Sequence, residues 1–230
     1  MTDPSKPFNL SRPSADAVAL IKRAMARADH PVIAEIGIGY GATSIETCRL
    51  LANRGRLYLF DYEDKLSGLQ DRLDTLGFFN VIYHGNSRKL FDSYNWNLAN
   101  LLRRRLRAGG DPALFDFVYL DGAHSFHHDA PAAMIVKDLM KPGGEILFDD
   151  YDWSFATSRT MNPDIYPAIR DQYSDEQIDE PHVALLCELF FDADPAFQQI
   201  DIGYSLKEHR RAYRKIGQCP DSQGDRRNVE

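Results

Sequence analysis

The sequence predicts an α/β fold built on a doubly wound, mostly parallel sheet. Short apolar runs alternate with amphipathic segments over residues 14–150, as they do in proteins whose helices connect parallel strands. These runs are continuously apolar, which is typical of strands buried on both faces. Residues 197–216 then contain two strand-like segments hinged at Gly203, and these segments predict a terminal antiparallel hairpin.

Each predicted strand is a short apolar run bounded by turn residues. These strands cover residues 32–37, 56–61, 80–84, 115–121 and 145–150. The first helix begins after Ser14, whose hydroxyl can cap it, and it ends before Pro31. Apolar residues at helical spacing predict further helices. These helices cover residues 43–53, 66–76, 88–107, 129–140 and 181–191.

The chain of 230 residues is long enough for one α/β domain with a sizeable core, and it contains no internal repeat. We therefore expect a single domain over residues 1–216. Residues 152–180 are polar and acidic with scattered aromatic side chains, which predict either a lid over a ligand or a surface insertion that packs on the sheet edge or on a dimer partner. Residues 217–230 are polar and are predicted to be a disordered tail.

The composition argues against several classes of function. The formal net charge of −7 disfavours a nucleic-acid partner, and the basic run at residues 103–107 fits the solvated face of a helix. The three cysteines lie too far apart for a zinc site or a disulfide framework. Because the N-terminus lacks the apolar core of a signal peptide and no apolar run could span a bilayer, we expect a cytoplasmic protein with no membrane partner.

A glycine-rich loop, "EIGIGYGATS" at residues 35–44, follows the first strand. Ligands of doubly wound sheets bind beyond the carboxyl ends of the strands, and such a loop brings backbone N–H groups close to a ligand. The glycines also fit a dinucleotide-binding pattern. However, a carboxylate at Glu35 disfavours a pyrophosphate and suits a cationic ligand. Asp61 ends the second strand, where it can accept hydrogen bonds from ribose hydroxyls in either class of cofactor.

Several motifs together resemble those of class I S-adenosylmethionine-dependent methyltransferases. They are "VIAEIGIGYG" at the first strand, Asp61 after "LYLF", "HGNS" after the third strand, "DFVYLDGAH" at the fourth and "KPGGEILFDD" at the fifth. The resemblance extends over residues 30–215. It implies a Rossmann-like, seven-stranded sheet that includes the terminal hairpin, with S-adenosylmethionine as the cofactor.

The resemblance also implies roles for individual residues. Asp61 would bind the ribose diol, and the residues after the third strand, Asn86 and Ser87, would contact adenine. Many relatives have an acid at the position of Asn86, whose amide can still bond the adenine amino group. The other residues expected at the cofactor are Glu35, Gly37, Gly39, Gly41 and Asp121.

Three carboxylates are expected to converge beside this cofactor site. Asp121 ends the fourth strand, and Asp149 and Asp150 end the fifth. Converging carboxylates repel unless a cation joins them, and oxygen ligands suit Mg²⁺, Mn²⁺ or Ca²⁺. The layout is similar to that of metal-dependent small-molecule O-methyltransferases, which implies a divalent cation, with Mg²⁺ expected. The alternative is that the three carboxylates only cap a helix or accept hydrogen bonds from loop N–H groups.

His124 lies three residues after Asp121. In the catechol-type enzymes of this family the residue at that offset is a lysine base, so the resemblance implies that His124 is the general base here. The ordinary pKa of histidine suits proton removal near neutral pH. The alternatives are that His124 joins the metal ligands or is a surface residue. His127 and His128 are expected to begin the next helix.

The sequence thus predicts metal-assisted methyl transfer from S-adenosylmethionine to a hydroxyl of a small molecule. Three alternatives remain. A nicotinamide-dependent oxidoreductase shares the glycine loop but leaves Glu35 and the acids of the fourth and fifth strands unexplained. A non-enzymatic module would bind the cofactor without turnover, and an N-methyltransferase would need no metal.

Overall fold

The computed structural model describes residues 12–202 and 209–217 and confirms the predicted seven-stranded sheet. The spatial order of the strands is β3-β2-β1-β4-β5-β7-β6. Their bounds are β1 Val32–Ile36, β2 Arg56–Tyr62, β3 Val81–Asn86, β4 Phe115–Leu120, β5 Met140–Phe148, β6 Phe197–Gln199 and β7 Arg211–Lys215.

The first five strands are parallel, and β1 lies between β2 and β4. The order of the strands therefore reverses at β1, which is where open α/β sheets place their ligands. The predicted terminal hairpin is confirmed, because β7 pairs antiparallel with both β5 and β6. The expected hinge at Gly203 lies outside the described residues.

Helices cover both faces of the sheet. Their bounds are α1 Ala15–Arg27, α2 Ala42–Leu51, α3 Glu63–Thr75, α4 Tyr94–Ala108, α5 Phe126–Leu139, α6 Asp175–Asp179 and α7 His182–Cys187, with a 3₁₀ turn at Pro167–Asp171 and a π-helical segment at Glu188–Asp192. Successive strand residues alternate between the two faces. Leu57 and Leu59 pack in the core with α1, α2 and α3, whereas Tyr58 and Phe60 pack with α4, α5 and α7. The sheet is thus buried on both faces, as its continuous apolar runs predicted.

The starts of two elements differ by five residues or more from the sequence-based expectations. The helix expected from residue 88 begins at Tyr94, because Ser93 caps it and residues 87–92 form a separate loop. The fifth strand begins at Met140 rather than at 145, since the "KPGG" segment at residues 141–144 is a bulge within the strand and not a turn before it. Between the paired positions on either side of this bulge, β4 advances two residues and β5 advances five.

Residues 152–180 form turns, the 3₁₀ turn and α6 around a small hydrophobic cluster of their own. Phe155, Ile169 and Ile178 are the buried members of this cluster. Whether the segment acts as a lid stays a prediction. Among residues 12–202 and 209–217, no helix has the length and hydropathy needed to span a membrane.

Candidate active site

The candidate site lies at the carboxyl edge of the central strands. Ile36, the last residue of β1, pairs with Phe60 of β2 and with Leu120 of β4, and Leu120 in turn pairs with Phe148 at the end of β5. The segments that follow these strands therefore begin side by side. These segments and the last residues of β2 contain the predicted glycine loop, Asp61, and the acids that follow the fourth and fifth strands.

The glycine loop joins this edge by close backbone contacts. Gly37 has a φ of +83°, and a Cβ atom added there would lie 1.8 Å from the carbonyl oxygen of Asp121. The Gly37 N–H donates to the Phe60 carbonyl at 2.8 Å, and the Ile38 N–H donates to Asp61 Oδ2 at 2.9 Å. The α2 helix then begins after Gly41, which has a φ of +77°. The loop is thus built directly onto β2 and the end of β4.

Replacing Gly37 with alanine is expected to destabilise the fold by about 3 kcal/mol or more, because the new Cβ would meet backbone atoms at a left-handed φ. Gly39→Ala is the matched control, since Gly39 also has a positive φ but a Cβ atom added there would have no neighbour within 4 Å in the described part of the chain. We expect this control to lose about 1 kcal/mol. Urea unfolding measures both free energies, and equal losses would contradict the close approach of Gly37 to Asp121.

Glu35 lies within β1 and is only 3% exposed. The hydroxyl of Ser44 on α2 donates to Glu35 Oε2 at 2.6 Å. Burial raises the pKa of Glu35 to about 8 against the lowering effect of the Ser44 hydrogen bond, and the nearby charges of Asp121 and Asp61 contribute to this rise. The side chain is therefore neutral at pH 7 in the protein alone, and a cationic ligand nearby would favour its ionised form.

We expect Glu35→Gln to change how stability depends on pH. Between pH 4.5 and about 8 the unfolded chain releases the proton that folded Glu35 keeps, so the wild-type free energy of unfolding falls as pH rises through this window. Glutamine does not titrate. Relative to wild type, the variant should therefore gain about 2 kcal/mol or more between pH 5 and pH 8. Urea unfolding at both pH values tests this, with Glu46→Gln on the surface of α2 as the control. Parallel curves for wild type and Glu35→Gln would contradict it.

The three residues expected to contact the ribose and adenine differ in how the protein engages them. Asp61 is buried, and besides Ile38 it accepts hydrogen bonds from the Tyr62 N–H at 2.6 Å and from Lys65 Nζ at 3.2 Å. Asn86 is buried, and its Nδ2 donates to the Ser87 and Asp92 carbonyls, while its Oδ1 has no hydrogen-bond partner within residues 12–202 and 209–217.

The Ser87 hydroxyl and N–H both donate to Asp92 Oδ2, at 2.6 and 2.7 Å. Ser87 therefore closes the loop of residues 87–92. Its role at a cofactor stays a prediction.

A compact cluster of two carboxylates and one imidazole lies beside the glycine loop. His124 Nε2 is 3.3 Å from Asp150 Oδ2 and 3.6 Å from Asp121 Oδ1. One potential ligand atom from each of the three residues lies within 4.8 Å of the others. Two carboxylates with a neighbouring nitrogen are a donor set that fits a divalent metal ion.

The third expected metal ligand, Asp149, is hydrogen-bonded to Arg210 and Tyr119 instead. Its Oδ1 and Oδ2 accept from Arg210 Nε at 2.8 Å and from Arg210 Nη2 at 3.2 Å. The hydroxyl of buried Tyr119 also donates to Asp149 Oδ2, and the Asp150 N–H donates to Asp149 Oδ1 at 3.0 Å. We therefore leave Asp149 out of the proposed metal set. Turns follow Asp150, so the helix-capping alternative has no support for Asp149 and Asp150. The other part of that alternative, acceptance of a loop N–H, holds for Asp149, which accepts the Asp150 N–H.

Burial and neighbouring charges shift the pKa values of all three members of the cluster. Burial raises the pKa of Asp121 to about 7, and the negative charge of Asp149 adds to this effect. Burial likewise raises the pKa of Asp150. For His124, burial alone would lower the pKa, but the carboxylates of Asp150 and Asp121 outweigh it and raise the pKa above its ordinary value. The structure thus places the His124 imidazole between the two carboxylates.

Local structure fixes the loop that carries His124. The buried hydroxyl of Tyr94 on α4 donates to Asp129 on α5 and accepts the Ala123 N–H at 3.2 Å. His124 itself has a φ of +52°, which is uncommon for a residue with a side chain and is found at strained functional positions.

The ring of Trp153 lies 5.9 Å from the His124 ring, so residues 152–180 border the cluster. His127 and His128 begin α5, as predicted.

Comparisons with known proteins are consistent with this geometry. A family model described as a methyltransferase domain matches residues 34–151, just over half of the chain. No curated protein matches the sequence significantly. Many solved structures are similar in fold.

Among those structures is the O-methyltransferase TomG from Streptomyces achromogenes, involved in tomaymycin synthesis and solved with SAM. It is 19% identical with a TM-score of 0.59, and the match covers 91% of this chain and 83% of that one. An O-methyltransferase from Bacillus cereus with SAH is 15% identical, with a TM-score of 0.54 and coverage of 89% and 83%. An rRNA methylase from Streptococcus thermophilus is 13% identical, with a TM-score of 0.51 and coverage of 87% and 97%. At these identities the likeness establishes the fold alone.

Proposed function

Because this chain belongs to the methyltransferase domain family, we propose that it transfers a methyl group from S-adenosylmethionine to a hydroxyl of a small molecule with the help of a divalent cation. The observation that carries this proposal is the cluster of Asp121, His124 and Asp150 next to the glycine loop. It would place hydroxyl-activating groups beside the methyl donor.

The glycine loop and its neighbours fit the cofactor. S-adenosylmethionine supplies an activated methyl group on a sulfonium. Asp61, next to the last residue of β2, has a carboxylate that can accept hydrogen bonds from ribose hydroxyls in addition to those it accepts from the Ile38 and Tyr62 N–H groups. The unpartnered Oδ1 of Asn86 suits a donor such as the adenine amino group. Glu35 would complement the positive charge of the methionine portion once it ionises.

Asp121 and Asp150 would hold the metal. Two carboxylates leave coordination positions for water and for a substrate oxygen, which fits Mg²⁺ or Mn²⁺. When bound, the ion would supply Lewis-acid polarisation and positioning of the acceptor hydroxyl. In the structure the two carboxylates both approach the same imidazole nitrogen, so a cation placed between them would also adjoin His124.

His124 would accept the hydroxyl proton at Nε2. The charges of Asp121 and Asp150 raise the pKa of His124, and a cation shared by those carboxylates would offset their effect. The imidazole would then be neutral near pH 7 and able to act as a base. Trp153 beside the His124 ring offers an apolar face for the acceptor.

The experiment that tests this proposal follows methyl transfer directly. Purified protein is incubated with methyl-labelled S-adenosylmethionine and paired phenol and aniline panels, in Mg²⁺, in Mn²⁺ or in EDTA. Metal-dependent labelling of the hydroxyl compounds supports the proposal. Labelling of amines alone, unaffected by EDTA, would indicate an N-methyltransferase instead. Binding of S-adenosylhomocysteine with no turnover on either panel would favour a non-enzymatic module, and binding of NAD in its place would favour an oxidoreductase.

A further inference from the structure

A basic segment that leads into β7 contacts the loop that follows β5 and contains Asp149 and Asp150. We name residues 209–211 the basic strap and residues 149–152 the acid loop. The two meet because β7 runs antiparallel to β5, so that Arg211 at the start of β7 pairs with Phe148 at the end of β5.

The strap contacts three residues of the acid loop. Arg210 forms the two-point pair with Asp149 described above, and its Nη1 donates to Asp16 Oδ2 of α1 at 2.8 Å. The carbonyl of His209 accepts the Tyr151 N–H at 2.8 Å. The remaining contacts are His209 Nδ1 with Asp152 Oδ1 at 2.6 Å and the Arg211 guanidinium 4.1 Å above the Tyr151 ring.

Arg210 is the centre of this arrangement. Its side chain is 13% exposed, and the Asp16 carboxylate that it bonds is 1% exposed. A guanidinium that is bound at two points to one carboxylate and at a third point to another holds both carboxylates in a defined orientation and also balances their charge. Asp149 is thereby tied to α1, which is far from it in sequence.

The side chain of Asp149 is hydrogen-bonded directly to the backbone of Asp150. The Asp150 N–H donates to Asp149 Oδ1, and the Asp150 backbone has a left-handed φ of +51°. Such a conformation in a residue with a side chain persists only where its surroundings hold it. It directs the Asp150 carboxylate to within 3.3 Å of His124 Nε2.

We propose that Arg210 is a positioning residue of the active site, which acts through Asp149 to hold Asp150 against His124. The inference rests on the proposed function, since it assigns Asp150 to the metal. The rival role for Arg210 is that of a simple counter-ion to Asp149. The two roles predict opposite signs: removing a positioning residue weakens metal binding, whereas removing a competing positive charge strengthens it.

The test compares Arg210→Met with Arg214→Met. Arg214 lies on β7, four residues after Arg210, and also pairs with a buried carboxylate, Glu145 at 2.8 Å. Glu145 keeps its ion pairs with Arg23 and Arg27 in this variant, so Arg214→Met makes the same side-chain change without touching the acid loop. Two measurements are made on the metal-free proteins. The first is hydrogen exchange at the amides of Asp150 and Tyr151, and the second is calorimetric titration with Mn²⁺ alone.

For Arg210→Met we expect at least tenfold faster exchange at both amides and at least tenfold weaker Mn²⁺ binding. Arg214→Met should leave both measurements within twofold of wild type. Unchanged or tighter Mn²⁺ binding by Arg210→Met would overturn the inference. If Arg210→Met does not fold, Arg210→Lys replaces it, with at least threefold weaker binding expected and equal or tighter binding overturning the inference.

Failure of the proposed function can be distinguished from failure of the positioning role of Arg210. Wild-type protein that binds no Mn²⁺ would remove the metal from the proposed function, and the exchange data would then decide the positioning role. Exchange at Asp150 that is unchanged in Arg210→Met would overturn that role by itself.

Discussion

Replacing His124 with asparagine is expected to lower kcat by about 10²–10⁴-fold, the usual contribution of a general base. Asparagine tolerates a left-handed backbone, so the variant should keep the φ of +52° at this position while losing the group that accepts the proton. Binding of S-adenosylhomocysteine should stay within about threefold of wild type, since His124 is assigned to the acceptor. Initial rates and calorimetry measure the two effects separately.

His127→Asn is the matched control for this variant. His127 is exposed at the start of α5, three residues from His124. Among the described aromatic pairs, its ring contacts only His128 and Tyr173. The control should retain at least half of the wild-type kcat. A His124→Asn enzyme with nearly wild-type kcat would exclude His124 as the base and leave proton removal to another group.

Replacing Asp61 with alanine is expected to weaken S-adenosylhomocysteine binding by about 100-fold or more. The carboxylate is assigned to the ribose hydroxyls, and it also holds the Ile38 N–H of the glycine loop. Hydrogen bonds to a charged group contribute about 1.5–3 kcal/mol each, and about 1.4 kcal/mol corresponds to a factor of ten in affinity. Calorimetric titration of the metal-free protein gives the dissociation constant directly.

Asp64→Ala provides the comparison for Asp61→Ala. Asp64 lies in the first turn of α3 and pairs on the surface with Arg88, where both side chains are largely exposed. Removing this surface pair should change the affinity by less than about threefold. If Asp61→Ala bound S-adenosylhomocysteine as tightly as Asp64→Ala does, the ribose site would have to lie elsewhere.

The fold was predictable because its strongest signals are local and repeated. Each parallel strand is a continuous apolar run, and each connecting helix has an apolar stripe, so alternation alone specified the order of elements. The predicted starts of α4 and β5 were wrong for a different reason. Ser93 is one of several polar residues that could begin a helix, and the bulge at residues 141–144 depends on pairing with β4.

The candidate site was predictable to the extent that parallel strands end at one edge. The shared edge brings the glycine loop, Asp61, Asp121 and Asp150 together and places His124 beside them. It could not show which of two adjacent acids faces the imidazole. That choice depends on Arg210, which is about 60 residues further along the chain than Asp149.

The signal for Arg210 was present in the predicted hairpin. An antiparallel last strand beside the fifth strand would place its first residues next to the end of the fifth, and the segment "HRR" at residues 209–211 supplies positive charge there. The order of the hairpin strands decides this contact, and it is a tertiary property. Tyr119 and Asp16 were missed for the same reason, since their partners lie on other elements.

The most direct test of the account is a crystal structure grown with MnCl₂ and S-adenosylhomocysteine, with anomalous scattering recorded at the manganese edge. We expect one manganese ion bound by Asp121 and Asp150, S-adenosylhomocysteine along the glycine loop with its ribose on Asp61, and Arg210 still paired with Asp149. Manganese that is absent from this cluster, or S-adenosylhomocysteine bound away from the glycine loop, would contradict it.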